Sequence, residues 1–323
     1  MQSDHSDDHV GDRTRTPSAR NSRQSVVMAP PADAEGHTTT AAQTHAIPPS
    51  ASRARTAIET FSGLDVTDEM LDQAAELFSE HYGVWSEHAP HNKPGSRVRM
   101  SAARLRKQCL PAEVLGDCIY VRYLKNGELV GNAFACTWRD FSDSKVRWIT
   151  QLVVQTSMRS QGIATKMLQV LCELDIEFYG IITSYPYACG AMSHAFEDTA
   201  SRGLEKVRER AEDLIYQCGE SLLKSSPIEY IRTAKLRRTI NRGDPDDKTE
   251  DTVDTSFFVD HTEQKAILEI MEGSQTLAGK WYWGELLEGY EHFMLVVPEL
   301  SHWRDTILRH TTWQVGHRLV DNA

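Results

Sequence analysis

The sequence predicts an α+β domain in which helices flank a mixed, mostly antiparallel sheet. Two amphipathic helical patterns stand ahead of three strand-like runs at 118–124, 129–138 and 146–154. Those runs are joined by short turns and read as a meander. The third breaks at Arg159-Ser160-Gln161-Gly162-Ile163-Ala164 into a helix, and a buried strand follows at 178–185. Strand, helix, strand in that order makes a parallel crossover. Antiparallel and parallel pairs then share one sheet, with helices on its faces.

Residues 1–55 are dominated by Ser, Thr, Asp, Arg, Ala, Pro and His and show no apolar period, so they are expected to be a disordered tail. Asp4, Asp7, Asp8 and Asp12 argue against an organellar presequence, which avoids acids. Order begins near Phe61. Thr67 reads as an N-cap, with Asp68 and Glu69 in the first turn, where the helix dipole favours negative charge. Met70, Leu71, Ala74, Ala75, Phe78 and Tyr82 then share a face, and Gly83 stops the helix. Ser101 caps a second helix that Pro111 ends. Asn126-Gly127 is a strong hairpin signal between the first two strands of the meander.

The helix after the Gly162 turn carries Ile163, Met167, Leu168, Val170, Leu171 and Leu174 on its apolar face. Another helix spans 186–196, and a long amphipathic one spans 197–225. Ser226-Pro227-Ile228-Glu229 has the form of a capping box with Pro at the first helical position. It predicts a helix to about Ile240, then a loop over 241–252. A strand is expected at 254–261, a helix from Thr262 to Gly273, and a last strand at 292–299. The organisation expected is a tail (1–55), one domain (56–312) with a helical insertion (197–253), and a C-terminal tail (313–323).

The chain has 323 residues, a formal net charge of -11 and a pI near 5.6. It lacks the basic footprint of a general nucleic-acid binder. No apolar run reaches the length of a membrane span. Neither nucleic acid nor membrane is therefore expected as a partner, and a cytoplasmic protein is. Six cysteines without a Cys-x-x-Cys pair read as free thiols of a reducing compartment. His88 and His91 lack a third ligand nearby in sequence, so no metal is expected.

A strand that breaks into a helix leaves backbone N–H groups without intrahelical partners, which suits a phosphate. The run Arg159-Ser160-Gln161-Gly162-Ile163-Ala164-Thr165, set between a meander and a βα unit, resembles the GNAT acyltransferase superfamily. The resemblance covers Phe61 to Phe196. It implies a GNAT fold and acetyl-CoA as acyl donor. Arg159, Ser160, Gln161, Gly162, Ile163, Ala164 and Thr165 would cradle the pyrophosphate. The backbone of Leu152, Val153 and Val154 would pair with the pantetheine arm, and the thioester would lie where the parallel strands splay. The long tail and the insertion resemble fungal members, some of which act in specialised metabolism.

The same resemblance leaves the chemistry open. Many members carry a carboxylate eleven residues ahead of the motif, where this chain has Trp148. Gln151 is the polar side chain of that strand's second half, able to orient a water but not to take a proton. An Asn, an Ala and a catalytic Tyr are common on the later helix, where Cys189, Met192 and Phe196 stand. The substitutes are Tyr185, Tyr187, His194 and His261, the last beside Asp260; each also has an ordinary structural reading. Arg232, Lys235, Arg237 and Arg238 could greet a phosphate or simply form a solvated face, and WYWGELLEGYE could wall the acceptor site or anchor a loop. Three functions stay open: an N-acyltransferase acting on a small-molecule amine, a protein lysine or N-terminal acetyltransferase, and a CoA-binding module without catalysis. Oligomeric state is not legible.

Overall fold

The computed structural model describes residues 55–196, 203–240, 248–273, 281 and 283–297. The predicted C-terminal tail lies outside the described residues, as does the predicted N-terminal tail up to residue 54. An eight-stranded sheet has the order β1-β2-β3-β4-β5-β8-β7-β6. Its strands are β1 (Thr56–Ser62), β2 (Cys118–Lys125), β3 (Glu128–Arg139), β4 (Lys145–Val154), β5 (Phe178–Thr183), β6 (Lys235–Ile240), β7 (Lys248–Phe257) and β8 (Gly289–Val296). The β4–β5 pair is parallel and every other pair is antiparallel. The mixed α+β class expected from sequence is the one observed, and its architecture is the GNAT fold.

The helices are α1 (Asp68–His81), α2 (Ala102–Cys109), α3 (Ile163–Gln169), α4 (Pro186–Phe196), α5 (Gly203–Ser225), α6 (Glu229–Thr233) and α7 (Thr262–Glu272). Thr67 and Ser101 cap α1 and α2 as expected, accepting from the N–H groups of Met70 and Arg104. Asn126 and Gly127 both have positive φ, at 53° and 85°, as a tight β2–β3 hairpin requires. One face of the sheet packs on α3, α4 and α7 around Met167, Met192, Ile181 and Met294. The other packs on α1, α2 and α5 around Leu71, Leu105, Trp148 and Phe293.

Four expectations need correction. First, β1 precedes the predicted start of order. It is an edge strand, mostly exposed, so its apolar pattern is weak. Second, α3 ends at Gln169 instead of continuing to Leu174. Buried Arg147 donates to the carbonyl of Leu171 at 2.6 Å, and the Tyr179 hydroxyl meets the backbone of Glu173. Side chains from the sheet thus satisfy backbone that a longer helix would have satisfied itself.

Third, the predicted 197–253 insertion is helical only in its first half. α6 has five residues and starts one position after Ile228, whose N–H is accepted by Ser226 Oγ at 3.1 Å. The chain then turns into β6, which forms a hairpin with β7 on the edge of the sheet. The β-branched residues of both strands favour a ladder, and pairing with β7 satisfies the backbone of 235–240 without a helix. Fourth, β7 runs Lys248–Phe257, six residues upstream of the predicted strand at its start. Beyond it, Val259 forms a lone bridge to Trp85. Asp260 Oδ1 accepts the Thr262 N–H at 2.7 Å, so the helix begins at Thr262 instead of being capped by it.

Trp148 is fully buried and its ring lies over Gly180, its register partner on β5. A Cβ on Gly180 would meet the indole at 2.3 Å. The ring also packs against Phe293, with centroids 5.3 Å apart. Gly180→Ala should therefore destabilise by about 1–3 kcal/mol in urea unfolding. Gly190→Ala, where a Cβ meets nothing within 4 Å and which lies in α4, should be neutral or slightly stabilising.

Candidate active site

Parallel pairing of β4 with β5 runs only from Val146↔Phe178 to Ile149↔Ile181. Thr150 is then skipped in the β3 ladder, where Gln151 opposes Phe134 and Ile149 opposes Ala135. Past this bulge, β4 pairs only with β3, as far as Val154↔Gly131. Its other edge opens on a cleft of about 730 Å³. Because the strands part there, the cleft reaches both faces of the sheet.

The wall on the α3–α4 face holds most of the residues expected to bind a cofactor. Leu152, Val153, Val154, Arg159, Ser160, Gly162, Ile163, Ala164 and Thr165 all line the cleft. Gln161 is exposed beside it and donates through Nε2 to the Ser157 carbonyl at 3.4 Å. Ser160 and Gly162 adopt φ of 59° and 71°, which turns the chain from β4 into α3. A Cβ on Gly162 would project into open space, so the glycine keeps the approach to the first N–H groups of α3 clear. A linear diphosphate fits this opening by charge and hydrogen bonding.

Arg159 is already engaged. Its Nη1 contacts Glu263 at 2.8 Å and the Tyr185 hydroxyl at 3.2 Å, and its Nε donates to the Val154 carbonyl at 3.3 Å. Nη2 donates to the His81 carbonyl, and the guanidinium lies 5.0 Å from the centre of the Tyr185 ring. One side chain thus ties the end of α1, the end of β4 and the start of α7 together. Tyr185 donates to Glu263 at 3.1 Å, and Tyr187 packs its edge against Tyr185. Tyr187 and His194 line the same α3–α4 side of the cleft; both are exposed, and His194 Nδ1 lies 2.6 Å from the Gly190 carbonyl.

The opposite, α1–α2 side is lined by Tyr82, Met100, Cys109, Gln151, Tyr230, Thr255, Phe257 and Glu291. Glu291 alternates with Phe293 and Leu295 on β8, so it shares their face of the sheet. Burial raises its carboxyl to about 7, partly offset by Thr255. Tyr230 donates its hydroxyl to the Thr150 carbonyl at 2.9 Å, satisfying the bulge. Burial, reinforced by Glu291 at Tyr82 and by Cys109 and Glu291 at Tyr230, raises the pKa of both phenols, so both stay protonated. Burial also holds the Cys109 thiol up at about 12. Gln151 accepts from Asn132 Nδ2 at 3.1 Å, deep in the β3–β4 pair.

His261 does not face this cleft. It is 1% exposed and its environment includes buried His292, whose ring stands 4.9 Å from that of Trp281. The α7 helix turns it inward, against the α3–α4 face. Desolvation lowers His261 to about 4 and His292 to about 3. Trp281 and Trp283 anchor their loop in the core, with ring centres 5.0 Å apart. Phe196, where a catalytic tyrosine was sought, stacks on Tyr179 at 3.9 Å inside the core. Arg232 donates to the Ser226 carbonyl at 3.0 Å and Arg237 contacts Asp254 at 3.5 Å, so these two are occupied away from the cleft.

Glu291 escaped the sequence reading because the strand was expected at 292–299, three residues later than β8 (Gly289–Val296). The usable signal was a lone acid alternating with Phe293 and Leu295 in an otherwise apolar run. Tyr82 was read as part of the α1 core face, which it also is. Among the described residues, no group of three His, Cys, Asp or Glu could hold a metal ion, and no helix is long and apolar enough to cross a membrane. None of the six cysteines forms a disulfide.

The fold and cleft define a GNAT-type architecture. Residues 71–195 match the model of the Acetyltransferase (GNAT) family. No curated protein matches the chain. Among solved structures, an aminoglycoside acetyltransferase from an uncultured soil metagenomic sample is 19% identical, with a TM-score of 0.25; the match covers 36% of this chain and 66% of that one. Glucosamine-6-phosphate N-acetyltransferase from Arabidopsis thaliana is 14% identical, covering 36% and 71%, also at 0.25. Ribosomal-protein-alanine N-acetyltransferase from Brucella melitensis biovar Abortus 2308 is 15% identical, covering 36% and 70%, at 0.26. The chain thus spans just under two thirds of the first of these.

The buried histidines have a consequence for stability. Unfolded, each ring takes a proton near pH 6.5; folded, each resists it down to about 4 and 3. Their contribution is complete above pH 6.5 and is lost as pH falls, by about 1.4 kcal/mol per pH unit for each ring. Glu291, raised to about 7, acts in the opposite sense between about 7 and 4.5. A His261→Gln/His292→Gln variant should therefore gain stability relative to the parent as pH is lowered from 6.5 to 4.5, measured by urea unfolding at each pH.

Proposed function

We propose that this protein is an acetyl-CoA-dependent N-acyltransferase that acetylates the amine of a small molecule by direct transfer in a ternary complex. The observation that carries the proposal is Glu291. It is a carboxyl group with affinity for a proton near neutrality, set in a cleft that crosses the sheet where β4 loses its parallel partner.

Bound acetyl-CoA supplies the activated acetyl group. The Gly162 turn and the first N–H groups of α3 would hold its diphosphate, and the backbone of Leu152–Val154 would pair with its pantetheine arm. Glu291 receives the proton of the acceptor ammonium, directly or through a water, and leaves a neutral amine able to attack. Tyr82 keeps its proton at working pH and stands near Glu291, so it is the hydroxyl placed to return a proton to the departing sulfur. Tyr230 is committed to the Thr150 carbonyl and fixes the bulge. Arg159 positions the cradle through its contacts to Val154, His81 and Glu263. Tyr187 and His194, on the cofactor side, suit contacts to the CoA body better than proton transfer.

Release of CoA thiol in the presence of a primary amine tests the reaction. The rate should rise with pH through about 7 as Glu291 ionises, then level off. Glu291→Gln should lower kcat by roughly 10²–10⁴-fold and remove that inflection, with acetyl-CoA affinity unchanged by calorimetry. Gly162→Glu should abolish acetyl-CoA binding, because it places an anion in the diphosphate site. A parent protein that binds acetyl-CoA but acetylates no amine would instead be a CoA-binding module.

A further inference from the structure

From the lining of the α1–α2 side of the cleft, and resting on the acyltransferase reading, we infer that the acceptor is a monoamine with an apolar, aromatic-sized body and no second positive charge. Three observations lead there. The first is the composition of the wall. Phe78 and Tyr82 stack at 4.3 Å, Phe257 stands 6.0 Å from Tyr82, and Trp85 packs edge-on to Phe257 at 5.2 Å. Phe78, Tyr82, Phe257 and Met100 all line the cleft and belong to one apolar cluster between α1, β4 and the end of β7. Such a wall attracts an apolar body and the edge of an aromatic ring.

The second is the scarcity of negative charge. Among the described residues lining the cleft, Glu291 is the one acidic side chain. Glu263, at the cofactor end, is occupied by Arg159 and Tyr185. A single carboxyl can receive one ammonium. A polycation brought into the same cleft would leave its other ammonium groups desolvated without partners.

The third is the sign of the rim. Arg104, on α2, belongs both to the cleft wall and to a neighbouring hollow formed with Arg97, Arg99 and Trp85. All three arginines are exposed. In a chain of net charge -11, the entrance to the acceptor side is thus locally cationic. It repels a second ammonium and tolerates a neutral or anionic tail.

The test uses the full chain with acetyl-CoA and follows CoA thiol release with 2-phenylethylamine, tryptamine, kanamycin and a lysine-rich peptide. The two aryl monoamines should exceed both polycations in kcat/KM by about 100-fold or more. Phe257→Ala should raise KM for the aryl amines about tenfold while leaving KM for acetyl-CoA unchanged. Arg104→Glu should narrow the preference over kanamycin about tenfold; an unchanged ratio would overturn the part assigned to the rim. Equal or faster transfer to kanamycin or the peptide would overturn the inference and leave the acyltransferase reading standing. Intact acetyl-CoA binding with transfer to none of the four amines would overturn both.

Discussion

The candidate site depends on the parting of two parallel strands. β4 and β5 stay paired for four residues and then separate, because the bulge at Thr150 redirects β4. A sheet normally consumes the hydrogen-bonding capacity of its central strands. Here Gln151–Val154 have no strand partner on one edge, in the middle of an eight-stranded sheet. That edge faces a cleft open to both sides, so two ligands can approach one point from opposite faces. The cost of the irregularity is contained locally: Tyr230 takes the Thr150 carbonyl, and Arg159 takes the Val154 carbonyl.

The two faces are electrostatically different. On the α3–α4 side, backbone N–H groups and a left-handed glycine present partial positive charge to an open approach. The arginine of that turn is not a free phosphate ligand. Glu263 and Tyr185 hold it, so the cradle is braced by α7, an element far from it in sequence. On the α1–α2 side the walls are apolar and aromatic, and a single buried carboxyl stands among them. The same burial that lifts Glu291 toward neutrality keeps the neighbouring phenols protonated.

Trp148 gives to core packing a position where a carboxylate was sought. On β4, where a carboxylate is common in similar proteins, the chain has an indole that fills the space above Gly180 and meets Phe293 from β8. The carboxyl lies instead on β8 itself, two residues before Phe293 and on the same face. A glutamate there reaches the parted region from the other side of the gap. His261 and His292 complete the contrast, being titratable groups enclosed as neutral rings on the opposite face of the sheet.

Local signals determined much of this protein. Hydrophobic period, the Thr67 and Ser101 caps, the Asn126-Gly127 turn and the Arg159–Thr165 run are set by residues within a few positions of one another, and they determined the α+β class, the meander and the turn from β4 into α3. What they left open depends on partners distant in the chain. The span 235–240 is a strand because β7 offers a ladder, and α3 stops early because Arg147 and Tyr179 capture the backbone beyond it. Glu291 becomes a candidate base only when β8 inserts between β5 and β7 and buries it. His261 loses that role when α7 turns it into the core. Burial and strand pairing between remote segments decide a side chain's charge and its direction, and neither is written in the spacing of its neighbours.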